Sequence, residues 1–427
     1  MSYKTLSKEE LIKLEEKFEK QYISFKEKNL KLDMSRGKPG PDQLDLCMGM
    51  LDVFNSKSIL NSEDGFDCRN YGCLEGIREA RELMSGILDS SPDEVIIYGN
   101  SSLNIMYDTV SRSYTHGIFG MTPWKDLKEV KFICIVPGYD RHFSILRHFG
   151  IGYVNVPMLK DGPDMDMIEK LVAEDESIKG MWCVPKYSNP DGTIYSDKTV
   201  KRMAALKPRA KDFRIYWDNA YGVHNLYDDY EELTDILSEC SKAGNPDMVY
   251  KFASTSKISF TGGGLAAMAA SKKNIEEIKK QLFFQTIGHD KMNQLRHTRF
   301  FKDIEGIRAH MKKHALILRP KFEMVTATFE KELSGTDTAS WTKPRGGYFI
   351  SLNTMEGCAK EVVAYCKDAG VVLTPAGATF PDGIDPEDSN IRIAPSYPGT
   401  DELKAASELL CLCIKLVSVR KLLKNCK

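Results

Sequence analysis

The chain has 427 residues, of which 42% are apolar and 28% charged, with a formal net charge of −1. That balance describes a globular protein with core enough for two or three domains, and it offers no electrostatic footing for nucleic acid or an acidic membrane surface. No apolar run approaches the roughly 18–20 residues of a spanning helix, and the opening MSYKTLSKEELIK lacks the apolar stretch of a secretory signal. A cytoplasmic location is therefore expected. Eleven cysteines are present, without a C-x-x-C pair. The near pairs Cys68/Cys73 and Cys411/Cys413 suit neither a disulfide framework nor a zinc site, so they read as buried or incidental thiols and no metal is expected.

Ser7 and Glu10 form an S-x-x-E capping box, and Leu11, Leu14, Phe18, Tyr22 and Phe25 follow at three- and four-residue steps. They predict a helix over 8–29, an arm packed on another surface. LDMSRGKPGPDQLDL (32–46) is a loop, because Gly37, Pro39, Gly40 and Pro41 exclude regular structure. From about 90 to 265, short apolar strands alternate with helical patterns: EVIIY (94–98), VKFICIV (130–136), KGMWCV (179–184), FRIYW (213–217) and MVYKFA (248–253). That alternation predicts an α/β fold with a mostly parallel, doubly wound sheet. The 265–300 stretch reads as a connection. A long helical pattern (303–334), then GGYFISL, VVLTPAGATF, SNIRIAP and an amphipathic helix from about 401, predict a smaller α+β domain joined by the N-terminal segment. The expected division is an arm at 1–45, a large domain at 46–300 and a small domain at 301–427.

Each strand of the large region ends in a distinctive polar group: GNSSLN, PGYD, PKYSNPDG, DNAYG and STSK. Ligands of open α/β sheets bind outside the carboxyl ends of the strands. Ser101, Ser102, Tyr139, Asn189, Asp218, Tyr221, Ser254 and Lys257 are thus expected around one crevice. Ser101 and Ser102 at a helix start can hold a phosphate dianion on free N–H groups, although a serine pair there is also what a simple N-cap looks like. Asp218 behind an apolar strand needs a cationic partner or serves as a helix cap. Tyr139 offers a flat face, and Tyr221 a donor for a phenolate oxygen. Lys257 can form an imine, since a lysine of lowered pKa is a nucleophile. The glycines of STSKISFTGGG (254–264) follow the lysine, whereas those of a phosphate-binding G-x-x-x-x-G-K-[ST] loop precede it. Pyridoxal 5′-phosphate meets all these demands together, with a phosphate, a flat ring, a phenolate, a ring nitrogen and an aldehyde. A dinucleotide would require G-x-G-x-x-G after the first strand, which GNSSLN does not supply.

With YGCLEGIREAR, GNSSLN, PGYDRH, SNPDG, DNAY, STSK, GGYF and NIRIAP in this order, the chain resembles the class I/II aminotransferases of fold type I over nearly its whole length. The combination of SRGKP, GNSSLN and TSK before a glycine-rich stretch is similar to the bacterial aspartate aminotransferase subgroup labelled type Ic. The resemblance implies a ping-pong transaminase acting on an amino acid and a 2-oxo acid, with aspartate or glutamate as the expected donor. Lys257 then matches the Schiff-base lysine, Asp218 the partner of the ring nitrogen, and Tyr221 with Asn189 the phenolate donors. Tyr139 matches the stacking aromatic. Ser101, Ser102 and Ser254 match phosphate ligands, with Tyr71 reaching the phosphate from a neighbouring subunit of a homodimer; Ser256 is a further candidate phosphate hydroxyl outside that match. Arg392 matches the arginine on the substrate α-carboxylate, and Gly37 a backbone contact beside it.

One departure stands out. Family members carry a phosphate-binding arginine several residues after the lysine, where this chain has ISFTGGGLA. Backbone amides and hydroxyls would take over that role. For a distal substrate carboxylate, Arg36, Lys291, Arg296 and Arg345 are the candidate cations, with TIGHDKMNQLRHTRFF (286–301) the preferred source. A β-lyase, or an alanine or aromatic transaminase, fits the same motifs. An aminotransferase-like transcription regulator is disfavoured by the neutral charge and by a single helix before the family pattern begins.

Overall fold

The computed structural model describes residues 2–35 and 37–426. The arm helix spans Lys8–Glu27, opened by the capping box: the Glu10 amide donates to Ser7 Oγ at 3.3 Å and the Ser7 amide to Glu10 Oε2 at 2.8 Å. A two-residue strand, β1 (Leu32–Asp33), comes next. The central sheet then uses β2 (Val95–Ile97), β3 (Lys131–Val136), β4 (Gly152–Leu159), β5 (Gly162–Pro163), β6 (Ile178–Cys183), β7 (Arg214–Asp218), β8 (Val249–Ser254) and β9 (Ala266–Ala270). Their order across the sheet is β2-β9-β8-β7-β6-β3-β4-β5. The five strands β8, β7, β6, β3 and β4 are parallel. β9 runs antiparallel between β2 and β8, and β5 antiparallel at the far edge.

Every residue of β6 and β7 is buried, as a parallel sheet covered on both faces requires. The period-2 alternation of a strand divides their side chains between two cores. Ile133, Met181, Ile215 and Val249 face one core, while Phe132, Trp182, Tyr216 and Tyr250 face the other. The stretch read as a connection begins differently: AAMAA is β9, a fully buried strand inside the sheet. Alanine carries no strand signal of its own. What selects the extended form is the slot between β2 and β8, where small side chains fit.

After the helix Ile304–Leu333, β10 (Ala339–Trp341), β11 (Ile350–Thr354) and β13 (Asn390–Ile393) make an antiparallel sheet, while β12 (Val371–Val372) pairs with β1. Leu11, Phe18 and Tyr22 of the arm share a third core with Val325, Phe329, Leu409 and Leu416. The helix Ile304–Leu333 spans two cores, with Ile307 and Met311 against the large sheet and Leu318 and Phe322 in the third core.

Candidate active site

The parallel strands deliver their last residues to one edge of the sheet. Asp218 ends β7 and Ser254 ends β8, while Ser101 precedes the helix Ser102–His116 and Tyr139 the helix Asp140–Phe149. A cavity of about 120 Å³ is lined by Ser101, Ser102, Tyr139, Asn189, Asp218, Tyr221, Ser254, Ser256 and Lys257. A larger one of about 800 Å³ shares Tyr139, Asn189, Tyr221 and Lys257 and adds Gly37, Arg141, Phe349 and Arg392. All the site residues expected from sequence line one or the other except Tyr71, which is 78% exposed on this chain.

Two of the open alternatives close here. Ser101 occupies the N-cap position, yet its hydroxyl caps nothing, which leaves the first N–H groups of the helix free for a ligand. Asp218 caps no helix either: it completes β7, is 2% exposed and accepts at Oδ2 from His142 Nε2 at 3.1 Å. Its Oδ1 is buried without a partner among the described residues. Burial lowers the pKa of Lys257, and the Asp218 carboxylate partly opposes that shift. Lys257 Nζ lies 5.0 Å from the centroid of the Tyr221 ring. Burial first, and the Tyr139 and Asp218 charges next, raise the Tyr221 phenol well above its ordinary value, so it is a donor at neutral pH. Arg392 donates through Nη1 to Asp140 Oδ1 at 3.0 Å and to Asn189 Oδ1 at 3.3 Å. Its Nε is buried without an acceptor, and the guanidinium lies 4.9 Å over Phe349.

The STSKISFTGGG loop folds back on itself. Thr255 Oγ1 accepts from the Leu265 amide at 2.8 Å, and Ser256 Oγ donates to the Asn100 carbonyl at 2.6 Å. Gly264 passes so close that a Cβ there would fall 2.9 Å from the Ser256 nitrogen. Gly37 has a similar reason, since its Cβ would meet the Phe349 ring at 2.5 Å. The arginine that reaches this loop is Arg296, whose Nη2 bonds Asn293 Oδ1 and lies 3.5 Å from the Gly263 carbonyl.

The candidate distal cations are disposed otherwise than expected. Lys291 Nζ is committed to the Gly72 carbonyl at 2.9 Å and Arg345 to Asp229, and neither they nor Arg296 line the cavities. Arg36 lies outside the described residues. Sequence reasoning passed over two neighbours of Tyr139 in PGYDRH. Arg141 lines the larger cavity and makes no ion pair among the described residues. His142 stacks on Trp182 at 4.4 Å while it donates to Asp218. A helix starting at Asp140 brings Arg141 to the larger cavity and turns His142 inward behind Asp218, which is the signal that could have found them.

The turn carrying Asn189 holds a carboxyl under strain of another kind. Asp191 accepts from the Thr193 amide at 2.8 Å, but its Oδ2 is buried without a partner, and burial pushes its pKa up to about 6. A carboxyl whose folded pKa is raised costs stability as pH climbs from its unfolded value through the folded one. Asp191→Asn is therefore expected to be neutral at pH 4 and to gain up to about 3 kcal/mol at pH 8. Urea midpoints at the two pH values check this.

Residues 6–426 match the family model described as aspartate amino-transferase. The chain belongs to the aspartate aminotransferase family. It is an aminotransferase, in accord with its 43% identity to an aspartate aminotransferase of Corynebacterium glutamicum over 94% of this chain and 93% of that one. A solved aspartate transaminase from the same species superposes with a TM-score of 0.96 at 42% identity, covering 99% of both chains. The α-aminoadipate aminotransferase LysN of Thermus thermophilus, solved with N-(5′-phosphopyridoxyl)-L-leucine, shares the fold at a TM-score of 0.74 and 17% identity, over 91% of this chain and 92% of that one. Aminotransferases of this family use pyridoxal 5′-phosphate.

Proposed function

We propose that this aminotransferase exchanges the amino group of L-aspartate or L-glutamate with a 2-oxo acid by a ping-pong reaction, with pyridoxal 5′-phosphate in the smaller cavity. The observation that carries the reading is the pair of unmet needs facing that cavity. Asp218 Oδ1 is a buried carboxyl oxygen without a partner among the described residues, and Lys257 is an amine of lowered pKa lining the same cavity. The uncapped helix start at Ser102 and the Ser101 hydroxyl suit a phosphate, while Ser254 and Ser256 line the same cavity and would turn their hydroxyls to it from Ser256 Oγ and the Asn100 carbonyl. The group fits the residues present.

When bound, the cofactor supplies an aldehyde for the amino group and a ring that accepts the electron pair left at Cα. Lys257 Nζ would anchor the aldehyde and, when free, would take the proton from the substrate Cα as general base. Its burial lowers its pKa, which favours the neutral amine that a base requires. Asp218, oriented by His142, would keep the ring nitrogen protonated, while Tyr221 and Asn189 would donate to the ring oxygen and Tyr139 would cover the ring face. Arg392 grips the α-carboxylate, with the Gly37 backbone beside it. Tyr71 serves the phosphate of a partner subunit. The exposed Phe283, Phe284 and Ile287, which are 70%, 88% and 62% exposed, support a homodimer. The division into an arm (1–45), a large domain (46–300) and a small domain (301–427) is part of this reading; the core that the arm shares with Val325 and Leu409 supports joining arm and small domain, while Ile307 and Met311 pack across the boundary against the large sheet. Eleven free thiols suit a reducing cytoplasm.

The C. glutamicum relative bears the name aspartate aminotransferase, and Arg141 supplies this chain's own support for an acidic side chain. Arg141→Met is expected to raise KM for aspartate and glutamate by roughly tenfold to a hundredfold while leaving alanine within about threefold. Steady-state kinetics on the three donors measure it. The reading as a whole is tested by a panel of amino donors and 2-oxo acceptors. Ammonia and pyruvate released without an acceptor would make the enzyme a lyase and overturn it.

A further inference from the structure

Five lysines are buried among the described residues, and four have oxygen partners. Lys179 meets Asp212 at 2.8 Å, Lys251 meets Asp235 at 2.9 Å, Lys291 meets the Gly72 carbonyl at 2.9 Å, and Lys321 meets the Ser396 carbonyl at 3.1 Å. Lys186 is the exception. It is 3% exposed, and its Nζ makes no ion pair or hydrogen bond among the described residues. Its neighbours are aromatic: the ring centroids of Tyr230 and Tyr187 lie 5.0 Å and 5.5 Å away.

Lys186 lines a cavity of about 270 Å³, on the side of the strand ends away from the cofactor cavity. Trp217, Asn219, Gly222 and Arg308 complete the wall that matters here; Arg308 stands exposed at the rim and pairs through Nη1 with Glu305 Oε1 at 2.6 Å, leaving its other nitrogens for a ligand. Asn219 donates to the Ile87 carbonyl at 2.9 Å, but its Oδ1 is buried without a donor. A buried cation and a buried acceptor, both unmet, describe a site for something that carries negative charge together with a proton to give. The lining carboxylates do not meet the cation: Asp235 is paired with Lys251, and Asp89 and Glu232 stand at the exposed rim. Burial lowers the Lys186 pKa, with Glu232 acting weakly against it, as expected of a cation awaiting a counter-ion.

We propose that this cavity is a second, non-catalytic binding site for a small oxyanion, a phosphate or a carboxylate, held by Lys186 and Arg308. Its walls are the segments that carry the active site, since Lys186 lies three residues before Asn189 and Asn219 directly follows Asp218.

The test uses enzyme loaded with pyridoxal 5′-phosphate, so that the phosphate cradle is filled. It is titrated calorimetrically with inorganic phosphate and, in an Arg392→Gln background that removes carboxylate binding at the substrate site, with malonate. One binding event per chain is expected for at least one anion, and the two arms separate phosphate from carboxylate. Lys186→Met is expected to weaken that event roughly tenfold to a hundredfold, with an unchanged cofactor spectrum and a melting temperature at or above wild type. The proposal is overturned if neither anion binds or if Lys186→Met binds as wild type does. A fall in melting temperature on Lys186→Met, reproduced by Glu232→Gln and with no anion bound to wild type, would instead assign Lys186 to an internal ion pair.

Discussion

Replacing Lys257 by alanine is expected to lower transamination by about four orders of magnitude or more, because one change removes both the covalent anchor and the general base. The expectation rests on placement as much as on chemistry. Lys257 lines both cavities, within reach of the cofactor side and the substrate side. Its lowered pKa means that the neutral amine is already present at a pH where a solvated lysine is almost wholly charged. Proton transfer by Lys257 should therefore gain as pH rises through that lowered value and then level off. Activity within a hundredfold of wild type would remove Lys257 from the role. So would a borohydride-fixed cofactor mapped by mass spectrometry to another lysine.

Asp218→Asn is expected to reduce kcat/KM by about 10²- to 10³-fold and to weaken retention of the cofactor, while the chain stays folded. Asparagine keeps the volume and still accepts from His142, so the change isolates the charge. The negative charge is what a ring nitrogen needs if it is to stay protonated, and Oδ1 is the buried atom without any other partner. Kinetics together with equilibrium dialysis of the cofactor measure both effects. If Asp218→Asn stayed within threefold of wild type, the carboxylate would be a structural partner of His142 and nothing more.

The parallel core of the sheet could be read directly because β3, β6, β7 and β8 are runs of branched and aromatic residues, a signal that survives without tertiary context. β9 could not be read, because AAMAA becomes a strand only where two neighbours supply a ladder and no room for larger side chains. The chemistry followed the same division. Residues that end strong strands, such as Asp218 and Ser254, could be placed by topology alone. Arg141 and His142 differ from any other arginine or histidine only in where the helix Asp140–Phe149 turns them. Arg345 and Lys291 were reasonable cations in sequence, but their partners Asp229 and the Gly72 carbonyl lie 116 and 219 residues away along the chain.

The sequence by itself determined four of the five parallel strands, the crevice at their carboxyl ends, and most of the groups that face it, but not β4, β9 or Arg141. Those follow from local periodicity and from the handedness of a parallel sheet, which act over short stretches. The tertiary structure alone decided which charges are met and which are not. Among the described residues Asp218 keeps one free oxygen, Arg392 a free nitrogen and Lys186 only aromatic neighbours, whereas Lys179 and Lys251 are paired. Pairing depends on distances of a few ångströms between residues remote in the chain, and the cost of an unmet charge arises only when packing has excluded water from it.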